Sequence, residues 1–413
     1  MLYKMENEVQ AYAWGSRSAL AELYGFENPE GEPQAELWMG GHPKAPSRLL
    51  IGQGGEDFLA VPLTDHIGND PEGVLGRAAE QFGPRLPFLF KVLCAGEPLS
   101  IQVHPSKQQA EAGFAREERD GPAIDAPNRN YRDDNHKPEL ICALTPFWGL
   151  RGFRAAEEIR AELTGHEFTS SDISLQLPES DDDIATFFAT LLTLSEDERR
   201  NLVAAAIARA TSRWQGNAGD GLPEANHPLA RYYWVLRIAE VHPGDIGIIS
   251  PLILHVFSLL PGEAIFQPAG ILHAYLHGVG AELMANSDNV LRGGMTVKHI
   301  DVAELMKVGR FRPDRPEPVV AQPSQKIAGR GVNAEAFPTP FAEFELHRVE
   351  IDSGEATITG GVPQIILCHQ GSGEALAGST KTRLRPGESA FAEASTDEVR
   401  LTGSGVFFVA RTP

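Results

Sequence analysis

Cysteine is scarce in this chain. Only three occur in 413 residues, Cys94, Cys142 and Cys368, widely separated and never as a C-x-x-C pair. That excludes a disulfide framework and a zinc knuckle and points to a reducing compartment. Long apolar runs are missing as well. No uninterrupted stretch approaches the ~20 residues of a membrane span, and the opening MLYKMENEVQAYAWGS has no apolar signal core. The expected location is therefore the cytoplasm. Basic residues are in deficit, 36 Lys and Arg against 56 Asp and Glu, for a net charge of −20. Such a field repels nucleic acid and anionic membrane surfaces, so an anionic metabolite is a candidate only where Lys and Arg cluster locally. What remains, 42% hydrophobic and 22% charged residues, is an ordinary globular composition, in a chain too long for one ordinary domain.

The pattern changes along the chain. Up to about residue 150, short apolar runs such as Leu86 to Ala95 and Glu139 to Leu144 stand between Gly- and Pro-rich turns and read as β-strands. From Arg154 to about Ala239 the spacing is helical: Ile184, Phe187, Phe188, Leu191 and Leu192 fall on one face. Ser195 with Glu198 then forms a capping-box signature before Leu202, Val203, Ala206 and Ile207. β character is expected again over Val241–Pro251 and Leu259–Leu276, and in a last segment beyond residue 320, entered through the Pro-rich linker Arg312 to Gln325. Pro243-Gly244-Asp245, Pro261-Gly262-Glu263 and Pro386-Gly387-Glu388 recur as turns, each read as running into a strand. Such turns suit a jelly-roll barrel of the cupin type, and equally other all-β folds.

The chemistry is concentrated in three short segments. In Ser100-Ile101-Gln102-Val103-His104-Pro105, strand periodicity puts Gln102 and His104 on one face and Ile101 and Val103 on the other. In Asn135-His136-Lys137-Pro138-Glu139-Leu140, Lys137 and Glu139 share a face, and in Gly270-Ile271-Leu272-His273-Ala274-Tyr275, His273 and Tyr275 do. Two imidazoles, a carboxylate and an amide oxygen make a mixed N/O set suited to zinc with a position left open. Hydrogen-bonded pairs on solvated strands, or a surface ion pair, explain each segment taken alone.

The residues QAYAWGS (Gln10–Ser16), AELWMG (Ala35–Gly40), PFLFKVL (Pro87–Leu93), PLSIQVHP (Pro98–Pro105), NHKPEL (Asn135–Leu140), Phe266 to Asn289 and VLRGGMTVKHID (Val290–Asp301) resemble, in order, the type I mannose-6-phosphate isomerases. The resemblance implies a mainly β chain with an α insertion: a cupin-type jelly-roll β-barrel catalytic domain over 1–153 and 241–320, a helical insertion over 154–240, and a second β domain over 321–413. It implies one Zn2+ per chain on Gln102, His104, Glu139 and His273, with Arg292 as the catalytic arginine. Lys137, His136, Glu282, Asp288 and Tyr275 fall in or near the pocket by the same resemblance, and so do Lys91, Ser100 and Lys298, read as substrate-binding groups. Two positions depart from the family pattern, Ser106 after the His-Pro pair and His299 where an aromatic is common.

The implied reaction is interconversion of an aldose phosphate and a ketose phosphate by a monomer. It needs a base, stabilisation of an enediolate and cations for the phosphate. Arg292 keeps its proton at any working pH, which suits stabilisation rather than proton abstraction. Lys137, His136, Glu282 and Asp288 all stay open as proton carriers. A non-catalytic sugar-binding cupin does not require Lys137 and Arg292, a cupin dioxygenase commonly holds iron with several histidines, and a nucleotidyltransferase needs a Gly-rich loop that is not found. Trp14, Trp38 and Trp148 read as core aromatics.

Overall fold

The computed structural model describes residues 1–54, 57–168, 175–214 and 221–413. Two antiparallel ten-stranded sheets carry the architecture, so the chain is mainly β with helices between strands. The sheet relevant to function is organised by the long strand His273–Ala285. Its second half pairs with Phe88–Ala95 and Glu139–Ala143, and its first half with Phe147–Phe153. The change of partner falls at Gly278, where φ is 115° and a Cβ would stand 2.5 Å from the Pro146 carbonyl oxygen. Only glycine tolerates both conditions.

Between the strands Phe147–Phe153 and Leu254–Leu259, which pair with each other, the described residues of 154–240 form helices and no strand. Ile184–Leu192 buries Ile184, Phe187, Phe188 and Leu191, the face expected from spacing. The Ser195 signature is a cap in fact: Glu198 Oε2 accepts from Ser195 N and Oγ at 3.0 and 2.6 Å, at the start of Glu196–Trp214. Residues 169–174 and 215–220 of this stretch lie outside the described residues.

The other sheet is built from the C-terminal strands and three from the beginning of the chain. Leu2–Glu6 lies between Ser389–Ala392 and Arg48–Gly54, and Asp57–Pro62 closes the edge beside Arg48–Gly54. One apolar cluster takes Met39, Phe88 and Phe90 from the first sheet and Leu346, Phe391 and Phe408 from the second, so the two share a core.

Two local expectations are corrected. Residues 246–253 are helical rather than β, a 3-10 turn Ile246–Ile249 followed by Ser250–Ile253, with the strand starting only at Leu254. A short apolar run buried on all sides has no period that separates helix from strand, and Asp245 decides the outcome by capping Gly247 N. Hence only two of the three Pro-Gly turns enter strands, those before Ala264–Gln267 and Ser389–Ala392. The Pro-rich segment Arg312 to Gln325 is also no free linker. Pro313 bridges to Phe153, and Val319 N donates to Ala264 O at 2.7 Å.

Candidate active site

Ile101–Val103 is a short strand with Ile101 and Val103 buried and Gln102 turned to a cavity. Gln102 stands opposite His273 in register on one side and opposite Arg292 on the other. Glu139 opens the strand Glu139–Ala143 and faces Met284 near the far end of His273–Ala285. Alternation of side chains across these strands brings the three sequence segments to one place.

His104, Glu139 and His273 are buried, and their donor atoms all lie within 4.8 Å of one another. His104 Nε2 is 3.3 Å from Glu139 Oε1, and His273 Nε2 is 3.2 Å from Glu139 Oε2. The opposite ring nitrogens face backbone carbonyls: His104 Nδ1 donates to Asn289 O at 2.8 Å and His273 Nδ1 to Ile271 O at 3.0 Å. A carbonyl only accepts, so in its neutral form either ring has its proton on Nδ1 and its Nε2 lone pair toward the carboxylate. His104 is held neutral, its pKa lowered to about 4 by burial first and by Lys137 next. His104 Nε2 consequently has no hydrogen-bond partner. Two lone pairs and a carboxylate without a proton between them are a donor set for a cation, and their N/O composition fits zinc. Gln102 borders the same cavity.

Lys137 Nζ donates to Glu139 Oε1 at 2.6 Å. Burial alone would raise the pKa of Glu139, but Lys137 and the two histidines hold it well below the ordinary carboxylate value. Asn289, fully buried, orients this floor twice. Its carbonyl takes His104, and its side chain ties the loop ahead of Lys137, accepting from Arg132 N at 2.7 Å and donating to Asn135 O at 2.8 Å.

The cavity above this floor measures about 1050 Å³. One wall carries a buried trio in which Lys91 Nζ lies 3.2 Å from Glu36 Oε1 and 3.1 Å from Glu282 Oε2. Trp38 Nε1 donates to the other Glu36 oxygen at 2.7 Å. Burial raises the pKa of Glu282, and burial followed by Glu282 raises that of Tyr275 well above its ordinary value, so the Tyr275 hydroxyl keeps its proton. The other wall is cationic. Arg292 and Lys298 have no acidic partner within ion-pair distance among the described residues, and both have lowered pKa values, Arg292 from burial first and then Arg132, Lys298 from burial first and then Arg292, Arg132 and Lys44. Asp288 is held below its ordinary value against burial by His42 and Lys44, with Lys44 Nζ at 2.8 Å.

Most residues read from sequence line this cavity, Ser100 and Tyr275 among them, with His104 immediately behind. Two expectations change. Lys91, read as a phosphate group, is already balanced by two carboxylates, so it offers little free charge to an anion. His136 does not border the cavity; it pairs with Glu343 and stacks edge-on to Phe341, both from the C-terminal segment. Trp148 and Trp38 are core as expected, Trp38 also bordering the cavity, whereas Trp14 is half-buried at the cavity wall. Ser106, the odd residue after His-Pro, caps the helix Lys107–Asp120, accepting from Gln109 N at 3.3 Å. Arg132 and Lys44 have no local signal in the sequence. Glu36 alone left a trace, as an acid inside the apolar strand Glu36–Gly40.

Fold and site together define a β-sheet protein with a metal-capable His-Glu-His centre at the floor of a cavity of mixed charge. Residues 2–156 match the family model of the phosphomannose isomerase type I catalytic domain. A mannose-6-phosphate isomerase of Escherichia coli (strain K12) is 42% identical over 407 residues, 98% of each chain. Mannose-6-phosphate isomerase 2 of Arabidopsis thaliana is 31% identical, covering 96% of this chain and 89% of its own. Among solved structures, a zinc-bound mannose 6-phosphate isomerase superposes with a TM-score of 0.86 at 39% identity, over 100% of this chain and 99% of that one. The chain belongs to the type I phosphomannose isomerase family.

Proposed function

We propose that this chain interconverts D-mannose 6-phosphate and D-fructose 6-phosphate, with one zinc held by Gln102, His104, Glu139 and His273. The observation that carries the reading is the pair of imidazole lone pairs turned on Glu139 at the floor of a cavity whose opposite wall has unpaired cations. Zinc bound there supplies a Lewis acid for the oxygens on C1 and C2 of the sugar.

The chain's own groups do the rest. Glu282 moves the proton between the two carbons: it is buried, its raised pKa suits a base that must return what it takes, and Lys91 engages only Oε2. Lys91 and Glu36 hold that carboxylate in place. Arg292, opposite Gln102 in register and without an acid of its own, stabilises negative charge on the enediolate. Lys137 adds positive charge beside the same oxygens. Lys298, with Arg132 and the Ser100 hydroxyl, receives the phosphate. Tyr275, protonated, faces the sugar as a donor. His136 and Asp288, each committed to a partner outside the reacting centre, support the cavity wall.

The layout we propose is a cupin-type jelly-roll catalytic domain over 1–153 and 241–320, a helical insertion over 154–240 and a C-terminal β domain over 321–413 that recruits strands from the first residues. The helices between paired strands support the insertion. The three cysteines, all buried and unpaired, support a cytoplasmic enzyme, and we read it as a monomer, which sedimentation tests. The function itself is tested by following fructose 6-phosphate formed from mannose 6-phosphate in a coupled assay with zinc-saturated protein. Turnover is expected; zinc-saturated, folded protein without turnover overturns the reading.

A further inference from the structure

The turn Pro243-Gly244-Asp245 has no part in the chemistry above, yet its acid is unusually occupied. The Asp245 carboxylate accepts three backbone N–H groups: Gly247 at 2.6 Å, Met295 at 2.8 Å and Thr296 at 3.2 Å. The first is the N-cap of the following 3-10 turn. The other two reach a different segment, the one that leaves the strand Leu291–Gly294.

That segment needs holding. Met295 has φ of 52°, a left-handed conformation rarely kept by a residue with a side chain. Its side chain is buried against Gly247, where an added Cβ would come within 2.6 Å of Met295 Cγ. Beyond it, Thr296 to His299 form neither helix nor strand and border the cavity, and Lys298 N donates to Thr296 Oγ1 at 3.0 Å. The bonds that fix the root of this wall are thus the two to Asp245. Three residues earlier, the His242 ring bonds the Pro98 carbonyl at 3.0 Å, just ahead of Ser100. One turn therefore grips both lips of the cavity.

We infer that Asp245 is a positioning residue: by holding the Met295 and Thr296 N–H groups it sets where Lys298 stands to receive the substrate phosphate. The inference rests on the reading of Lys298 as a phosphate group given above. Both are tested by steady-state kinetics on Asp245→Ala, Asp245→Asn, Lys298→Ala and the Asp245→Ala/Lys298→Ala double variant, with inorganic phosphate as competitive inhibitor. Losing the placement of one charged contact should raise KM by roughly tenfold and leave kcat within about twofold. Phosphate inhibition should weaken in proportion, and zinc content should stay at the parent level. Asp245→Asn keeps one acceptor oxygen and should fall between parent and Ala; it carries the test if the Ala variant does not fold. The double variant should be no worse in KM than Lys298→Ala alone. Multiplying KM effects, an unchanged KM in Asp245→Ala and Asp245→Asn, or a joint loss of kcat and zinc overturns the inference. If Lys298→Ala leaves KM and phosphate inhibition unchanged, the phosphate reading itself falls, and the role of Asp245 with it.

Discussion

Gln102 and His273 face each other across two antiparallel strands, although the whole helical stretch lies between them in the chain. The centre on the cavity floor is therefore a long-range product of the sheet. Anything that parts the Ile101–Val103 and His273–Ala285 strands dismantles it, whatever the state of the helices.

The buried trio beside the floor gives the first prediction. Lys91, with its side chain 7% exposed, is among the described residues the one cation within ion-pair distance of both Glu36 and Glu282. Lys91→Met leaves two carboxylates buried and uncompensated, which should destabilise the fold by about 3–5 kcal/mol. Urea unfolding measures this, and a Lys91→Met protein as stable as its parent contradicts the assignment.

A second prediction concerns acid. Burial, before any neighbouring charge, lowers the pKa of His104, His255 and His369 to about 4. Between about pH 6.5 and 4 the unfolded chain binds these protons and the folded chain does not, so each histidine makes stability fall as pH falls through that window and adds nothing further below it. His369, which bonds Tyr24 at 3.0 Å in the C-terminal sheet, is remote from the metal centre. In His369→Gln the slope of stability against pH should be shallower by up to ~1.4 kcal/mol per pH unit inside the window and unchanged above it. Chemical denaturation at a series of pH values reads this directly; an identical slope in the variant contradicts it.

Much of the centre was legible because its residues come in strand-spaced pairs inside short motifs, Gln102 with His104 and Lys137 with Glu139. Their period of two is a local property. What stayed hidden depends on partners far along the chain. Nothing near Lys91 signals that Glu36 and Glu282 will neutralise it, and nothing near His136 signals Glu343. The helical turn after Asp245 is hidden for a local reason, since a run buried on every side carries no amphipathic period. The joint sheet of Leu2–Glu6 with Ser389–Ala392 has no sequence signature at all.

Arg292 supplies the third prediction. With no acidic partner among the described residues, and opposite Gln102 in register, its guanidinium has the enediolate role proposed above. Arg292→Ala should lower kcat and kcat/KM together by roughly 10² or more, with zinc content and unfolding midpoint unchanged. If KM alone rises, Arg292 belongs to phosphate binding and Lys137 becomes the leading stabiliser of the enediolate.

The account stands most directly on the metal centre, and zinc analysis of purified parent and Glu139→Ala protein tests it. Glu139 touches both histidines and Lys137, so its loss removes the charge that draws the cation in. The prediction is about one zinc per chain in the parent and almost none in a folded, inactive Glu139→Ala variant. A Glu139→Ala protein that still carries a full zinc per chain, or a zinc-free parent that isomerises mannose 6-phosphate at full rate, would contradict it.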